Sequence, residues 1–309
     1  MSDHAQAEAI LRAACGDRLR TAFPMAALTT FRIGGPAALY LEPESEADLF
    51  AASRAIGDTG LAFAVVGKGS NVLVSDRGFD GLVLRLGRGF RWAARDGDRI
   101  NAGGSMPLPA LAGVALRHAL DGLAFGVAIP ASLGGAVMMN AGAHGGQMSD
   151  LVVEVEVFRL LAGRVERVDS AAMDFAYRRS GLAADSVVIG ATARLRAGDP
   201  VAIRAAMDEA REWRRRTQPL AEPNCGSVFR NPPDDHAARL IEDAGLKGTR
   251  VGGAEISHKH ANFIVAAEGA RAQDISALIE LVEREVESRT GVKLEPEVQM
   301  IGRFQRVGT

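Results

Sequence analysis

Cysteine is nearly missing from this chain: its 309 residues hold two, Cys15 and Cys225. Two thiols cannot build a disulfide framework and neither sits in a metal-ligand spacing, so a reducing compartment is expected. An excess of charge is missing too, since 36 basic residues face 38 acidic ones for a net charge of -2. That balance gives no reason to expect nucleic acid or an anionic membrane surface as a partner. Residues 1–20 mix Asp3, Glu8 and Asp17 with basic side chains and lack the continuous apolar stretch of a secretory signal. No internal repeat and no low-complexity linker interrupts the chain. What is present, 47% hydrophobic and 24% charged residues, is an ordinary globular composition, and the length suits two or three domains.

Gly122 to Ala143 is uncharged over about the length of a bilayer span. It also contains Gly126, Pro130, Gly134, Gly135, Asn140 and Gly142, and few large aliphatic residues. A helix with that much backbone weakness makes a poor span, so no membrane insertion is expected. A buried, glycine-lined loop around a ligand is the better reading.

Periodicity divides the rest. An apolar run at Ala38–Glu42, a helix over Glu44–Ile56 capped by Ser45 with Asp48 three residues on, and strands at Leu61–Val66 and Leu82–Leu86 make a small α/β unit. A helix over Leu108–Leu120 follows Pro107 and Pro109. Strand patterns at Leu151–Leu161, Arg164–Val168 and Val187–Leu195 then suggest a mostly β, mixed domain. The last third reads as helices at Ala202–Arg216, Asp235–Ala244 and Asp274–Thr290 with a strand at Asn262–Ala266. Ile275, Leu278, Ile279, Val282 and Val286 share one helical face, and Gly291 is a plausible C-cap.

Several segments are candidates for chemistry. Gly67-Lys68-Gly69-Ser70-Asn71 follows a strand, where exposed N–H groups cradle phosphate oxygens and glycine permits close approach. Val72 stands where a dinucleotide fingerprint needs a third glycine, and the loop is not a Walker sequence either. The pattern alone leaves a tight turn and a phosphate loop equally open. The run from Ile129 through Pro130, Ser132, Gly134 and Gly135 to Asn140 and Gly142 is more unusual. Its small residues suit amides facing a pyrophosphate or a flat ring, or close packing against a sheet. Two such loops together favour a dinucleotide held without a Rossmann fold. Tyr177-Arg178-Arg179-Ser180 alone reads as a solvated strand end. In Asn224–Pro232, Gly226 beside Ser227 exposes a hydroxyl, and no Gly-x-Ser-x-Gly elbow of a hydrolase is present. Glu297 lies in the strand-like run Leu294–Val298, where apolar flanks favour a neutral, hydrogen-bond-donating carboxyl, or it is a satisfied carboxylate on the outer face. His258 and His260 flank Lys259 with no third ligand in sight, so no metal is expected. Arg211–Arg216 reads as a solvated helix face.

In order and spacing these pieces resemble one family, the UDP-N-acetylenolpyruvoylglucosamine reductases (the MurB family) of peptidoglycan precursor synthesis. The matching pieces are Thr30–Gly35, Gly67–Asn71, Ile129–Ala143, Tyr177-Arg178, Gly226–Pro232, Lys259–Phe263 and Leu294–Val298. The resemblance implies an α+β fold: a two-part FAD-binding module of the vanillyl-alcohol-oxidase (PCMH-like) type and a C-terminal α/β substrate-binding domain. The boundaries expected are 1–86, 87–199 and 200–309. It implies non-covalent FAD lined by Gly67, Lys68, Gly69, Ser70, Asn71, Pro130, Ser132, Gly134, Gly135, Asn140 and Gly142. NADPH is the implied reductant. Tyr177, Arg178, Gln218, Asn231 and Glu297 are the implied contacts of a nucleotide-sugar substrate, with Arg178, Ser227 and Glu297 as catalytic residues. A cytoplasmic monomer is expected. Ala131 and Ala124 depart from the family, which commonly has glycine and an acidic residue there. The chain also lacks the insertion by which longer relatives cover substrate, as in the shorter subtype. The competing readings are a flavin oxidase of the same broad fold and a flavin- or nucleotide-binding regulator without turnover.

Overall fold

A computed structural model describes residues 3–305 of the chain. Its mixture of helices and strands is the α+β class expected from the sequence. The residues gather into two compact units, each with its own buried core. The first takes residues up to 21, 39–68 and 81–214; the second takes 22–38, 69–80 and those from 215 onward.

The first unit holds two of the three apolar cores. One is built on the helix Glu46–Thr59, which begins where the sequence places its cap. The Ser45 hydroxyl accepts from the Asp48 amide at 3.4 Å, and the Asp48 carboxylate accepts from the Ser45 amide at 3.1 Å. That reciprocal box satisfies two amides with no partner inside the helix. Gly60 ends the helix in the left-handed conformation, φ 67°. Its buried Leu49, Ala52, Ala55 and Ile56 pack with Ala7, Leu11 and Cys15 of a further helix, Asp3–Cys15. The sequence gives this first helix little signal, because its buried stripe is only Ala7, Leu11 and Cys15, one residue per turn.

Asp48 also joins the two helices. Arg18 donates to its carboxylate twice, at 2.6 and 2.8 Å, and Cys15 donates at 3.6 Å. Burial opposes ionisation of Asp48, but the Glu44 amide and Arg18 outweigh it and hold the carboxyl below the usual range. Because the folded-state value is the lower one, the stabilisation is fully present above the ordinary carboxylate range, at about pH 5 and up. It is lost as pH falls through the depressed value. Denaturant unfolding at a series of acidic pH values should therefore show a loss of stability that Asp48→Asn largely abolishes.

The second core of this unit lies on a five-stranded antiparallel sheet. Its order is Arg164–Asp169, Val152–Arg159, Ser186–Arg194, Arg99–Gly103, Ala93–Asp96. The central strands bury both faces, one on each core. Val187 and Ile189 belong to the first core, and Val188, Ala191 and Ala193 to the second. A register shift pairs Glu156 with Gly190 but Val157 with Val188, so Ile189 bulges and the alternation changes face there. Phe158 and Leu160 likewise serve the first core although they lie in the sequence of the second expected domain.

The third core fills the second unit. The strands Arg250–Val251, Ala254–Ile256 and Ile264–Ala266 form a small antiparallel sheet. The helix Ala272–Thr290 contributes Ile275, Leu278, Ile279, Val282 and Val286 to the core, the face read from the sequence. Gly291 ends it at φ 73°. Asp76 caps its start by accepting from the amides of Ala272 and Gln273 at 2.8 and 3.0 Å. Phe31 and Leu73 also join this core, so the expected boundaries 1–86 and 200–309 do not coincide with the compact units. The cause is a parallel pair between Val72–Val74 and Gln299–Ile301, which carries a piece of the first third of the chain into the second unit.

Candidate active site

The loop Gly67–Asn71 follows the strand Phe63–Val65, which runs parallel to Phe79–Leu84 with Val65 opposite Leu84. None of the amides of Gly67 to Asn71 donates to another group among the described residues. Five consecutive donors without an internal partner are unusual in a folded chain and form a ready cradle for anionic oxygens. Two glycines hold the loop close to its neighbours. A side chain on Gly67 would come within 2.5 Å of the Ser132 hydroxyl, and one on Gly69, at φ 65°, would enter the carbonyl of Leu28. Thr30 closes that contact by donating its amide to the Gly69 carbonyl at 3.1 Å. Lys68 is exposed, and partial desolvation together with Arg85 and Arg91 lowers its ammonium below the usual lysine range.

The second glycine-rich segment is organised for packing. Leu133 donates to the Met106 carbonyl at 2.8 Å and Gly134 to the Gly104 carbonyl at 2.9 Å. The Ser132 hydroxyl accepts from Gly135 at 3.4 Å. The first amides of the short helix Leu133–Met138 are therefore occupied within the protein. Gly134 permits close approach to the strand Ser186–Arg194, since a side chain there would meet the Val188 carbonyl at 2.9 Å. Gly142 pairs with Gln147 in a small hairpin whose tip, His144 and Gly145, has positive φ at both residues. Pro130 is exposed, and Ala131 is absent from the positive-φ residues, so its backbone makes no demand for glycine.

Asn140 is 2% exposed, and its side chain ties this segment to the next candidate. Its Nδ2 donates to the Ala176 carbonyl at 3.0 Å and to Gln147 Oε1 at 3.4 Å, while Oδ1 accepts from Ser149 at 2.9 Å. Ser180 anchors the other side, donating its hydroxyl to the Met138 carbonyl at 3.0 Å. Between these anchors Ala176 and Arg179 exchange backbone hydrogen bonds at 3.0 and 3.1 Å, so Tyr177 and Arg178 form the tip of a tight turn. Arg178 sits in the left-handed region at φ 56°, a conformation that costs a residue with a side chain about 1 kcal/mol or more. Its guanidinium lies 5.0 Å from the Tyr177 ring centre. In the first unit, then, the expected arginine turn is pinned directly to the expected cofactor segment.

The second unit brings Ser227 and Glu297 together. The Glu297 amide donates to the Val228 carbonyl at 2.7 Å, and the Arg230 amide to the Glu295 carbonyl at 2.9 Å. These bonds lay the chain after Ser227 antiparallel to the segment carrying Glu297. Asn71 fixes that segment from the other side: its Nδ2 donates to the Glu297 carbonyl at 3.1 Å and its own carbonyl accepts from Gln299 at 2.9 Å. Glu297 precedes the strand Gln299–Ile301 instead of lying within one, as the sequence pattern suggested. Asn231 is exposed and accepts from the Ala237 amide at 3.1 Å, at the start of the helix Ala237–Asp243. Gln218 is half-buried just past the helix Pro200–Thr217. His258 and His260 lie in a turn, where Lys259 donates to the Arg215 carbonyl at 2.6 Å. His260 packs on Phe263 at 4.6 Å, and burial with the nearby Lys247 pushes its imidazole pKa down.

Two residues escaped the list of candidates. Asn224 accepts the Gly226 amide at 2.9 Å, and Asn262 holds the backbone after Ser227. The signal for the second was present: a single amide side chain inside the apolar run Ala261–Ala266.

Comparison with known proteins assigns this arrangement. Residues 37–169 match the FAD binding domain family and residues 218–301 match the UDP-N-acetylenolpyruvoylglucosamine reductase C-terminal domain family. A curated UDP-N-acetylenolpyruvoylglucosamine reductase of Heliobacterium modesticaldum is 48% identical over 281 residues, covering 90% of this chain and 89% of its own. The crystal structure of UDP-N-acetylenolpyruvylglucosamine reductase from Thermus caldophilus superposes with a TM-score of 0.78 at 36% identity, over 92% of this chain and 98% of that one. Phl p 4.0202, a glucose dehydrogenase, shares the fold at 14% identity and a TM-score of 0.50, over 74% of this chain and 53% of its own. The fold and these matches define an FAD-dependent oxidoreductase. The chain belongs to the UDP-N-acetylenolpyruvoylglucosamine reductase family.

Proposed function

We propose that the chain reduces the enol-ether double bond of UDP-N-acetylglucosamine enolpyruvate to UDP-N-acetylmuramate, a step of peptidoglycan precursor synthesis, with FAD as cofactor and NADPH as reductant. The observation that carries the cofactor assignment is the run of five amides, Gly67 to Asn71, that donate to nothing else among the described residues. They suit the diphosphate of the dinucleotide. The oxidase alternative requires transfer of electrons to oxygen, whereas a reductase of this family returns them to the enolpyruvyl group.

FAD, held by the Gly67–Asn71 amides, would supply the hydride chemistry that links NADPH to the enolpyruvyl group. Addition of hydride to the terminal alkene carbon puts negative charge on the neighbouring carbon and its carboxylate. Meeting that charge is the task of this chain's own residues. Arg178, held at a turn tip, is the residue we assign to the carboxylate, because a guanidinium offers two donors in fixed geometry. Ser227 is assigned to give its hydroxyl proton to the carbanionic carbon and to regain one from solvent. Glu297, laid beside the Ser227 segment, is assigned to stabilise the same charge as a protonated carboxyl. Tyr177, Gln218 and Asn231 complete the assigned substrate contacts. We place the enzyme in the cytoplasm as a monomer; no helix among the described residues is long and apolar enough to cross a membrane.

The test is spectroscopic. Purified protein should be yellow, and anaerobic NADPH should bleach the flavin band. Addition of enolpyruvyl substrate without oxygen should restore the band. Recovery with oxygen but not with that substrate would favour the oxidase.

A further inference from the structure

Ser227 lies between two asparagines whose side chains bond only to backbone. Ahead of it, Asn224 Oδ1 accepts from the Gly226 amide at 2.9 Å while its Nδ2 donates to the carbonyls of Pro219 and Glu222 at 3.0 and 2.7 Å. Behind it, Asn262 is 3% exposed and makes a more complete set. Its Oδ1 accepts from the Phe229 amide at 2.9 Å, its Nδ2 donates to the Phe229 carbonyl at 2.8 Å, and its own carbonyl accepts from the Val228 amide at 2.9 Å. A buried amide that answers both polar groups of one peptide residue behaves like a strand partner, but it is a side chain fixed to a single point. Through Val228 the same clamp reaches Glu297, whose amide donates to the Val228 carbonyl. Gly226, at φ 82°, is the joint on the other side, with open space around it. Freedom before Ser227 is thus matched by three hydrogen bonds on the two residues after it.

We propose that Asn262 is a positioning residue for proton donation by Ser227: it fixes the Val228-Phe229 backbone and thereby the place of the Ser227 hydroxyl and of the Glu297 main chain. This rests on the reading of Ser227 as the proton donor. Asn262 touches no reacting atom. It acts in the step in which substrate reoxidises the flavin and not in the step in which NADPH reduces it. Displacement of a catalytic group by about 1 Å lowers a rate about a hundredfold, and that is the effect expected on the first of these steps.

The experiment follows both half-reactions by anaerobic stopped flow in the flavin-loaded protein. Asn262→Asp keeps size and shape but removes the donor to the Phe229 carbonyl. It should slow substrate-driven reoxidation about a hundredfold, raise the solvent deuterium isotope effect on that phase, and leave NADPH-driven bleaching within about twofold of the parent. Hydrogen exchange should show the Val228 and Phe229 amides losing protection. Val286→Ala, in the same apolar core, is the control for destabilisation alone: it should lower the melting temperature without changing the ratio of the two rates. Equal slowing of both half-reactions by Asn262→Asp, or of neither, overturns the proposal. If Ser227→Ala itself leaves reoxidation unchanged, it is the assignment of Ser227 that fails. If Ser227→Ala slows reoxidation while Asn262→Asp does not, only the positioning role fails.

Discussion

Alanine at position 227 leaves a yellow protein that NADPH still bleaches, while reoxidation of the flavin by the enolpyruvyl substrate slows about 10²–10⁴-fold. The size follows from what the hydroxyl supplies. A positioned acid relieves charge on carbon at the moment it forms, and water at the same place is neither held nor oriented. Binding survives because Ser227 is assigned no part in holding flavin or NADPH. Its backbone place also survives, since the bonds that fix it belong to Gly226, Val228 and Phe229. The stopped-flow ratio of the two half-reactions checks this. Equal slowing of both would mean that the residue serves the fold of the unit.

The second large effect is on the cofactor. Gly69→Val should yield colourless protein, because two penalties coincide at Gly69. The backbone at φ 65° is strained for a β-branched residue by about 1–3 kcal/mol. The new side chain would also enter the carbonyl of Leu28, so the loop must move away from the Thr29-Thr30 backbone. Movement there displaces the amides of Gly67 to Asn71, which are the proposed diphosphate cradle. Gly60→Ala is the control, since Gly60 has φ 67° but nothing within 4 Å of the added carbon. That protein should stay yellow with a modest loss of stability of about 1 kcal/mol. Flavin content per chain, read from absorbance, separates the two variants. A yellow Gly69→Val protein would show that the loop does not hold the cofactor.

Much of this arrangement was legible in the sequence, for identifiable reasons. The helices Glu46–Thr59 and Ala272–Thr290 carry their own start and stop signals, a Ser45-Asp48 box and terminal glycines, and these work locally. The helix Asp3–Cys15 was missed because its buried face is only three residues, Ala7, Leu11 and Cys15, one of them a weakly hydrophobic alanine. The short strands Val72–Val74 and Gln299–Ile301 were missed because their pairing joins residues more than 200 positions apart, which no window of sequence displays. At the site, the residue types were readable and their use was not. Gly67 and Gly69 frame a loop with unused amides, as a phosphate loop should. Gly134 lets a helix approach the Val188 carbonyl, and Asn140 bonds its side chain to Ala176, Gln147 and Ser149, neither of which the sequence displays. Glycine and asparagine are demanded equally by ligands and by tight backbone contacts, so only coordinates distinguish the two uses. The compact units were not legible for a related reason: bulged strands such as Ser186–Arg194 feed two cores at once, and a hydrophobic run does not say which core it serves.

The central claim is that electrons from NADPH pass through a flavin in this chain to the alkene of an enolpyruvyl nucleotide sugar. The measurement is a single anaerobic turnover of NADPH-reduced protein with that substrate, followed by mass analysis of the sugar. Recovery of the oxidised flavin band together with a product heavier by two hydrogens is the predicted result. Oxidised flavin returning only on admission of air, with the sugar unchanged, would contradict it.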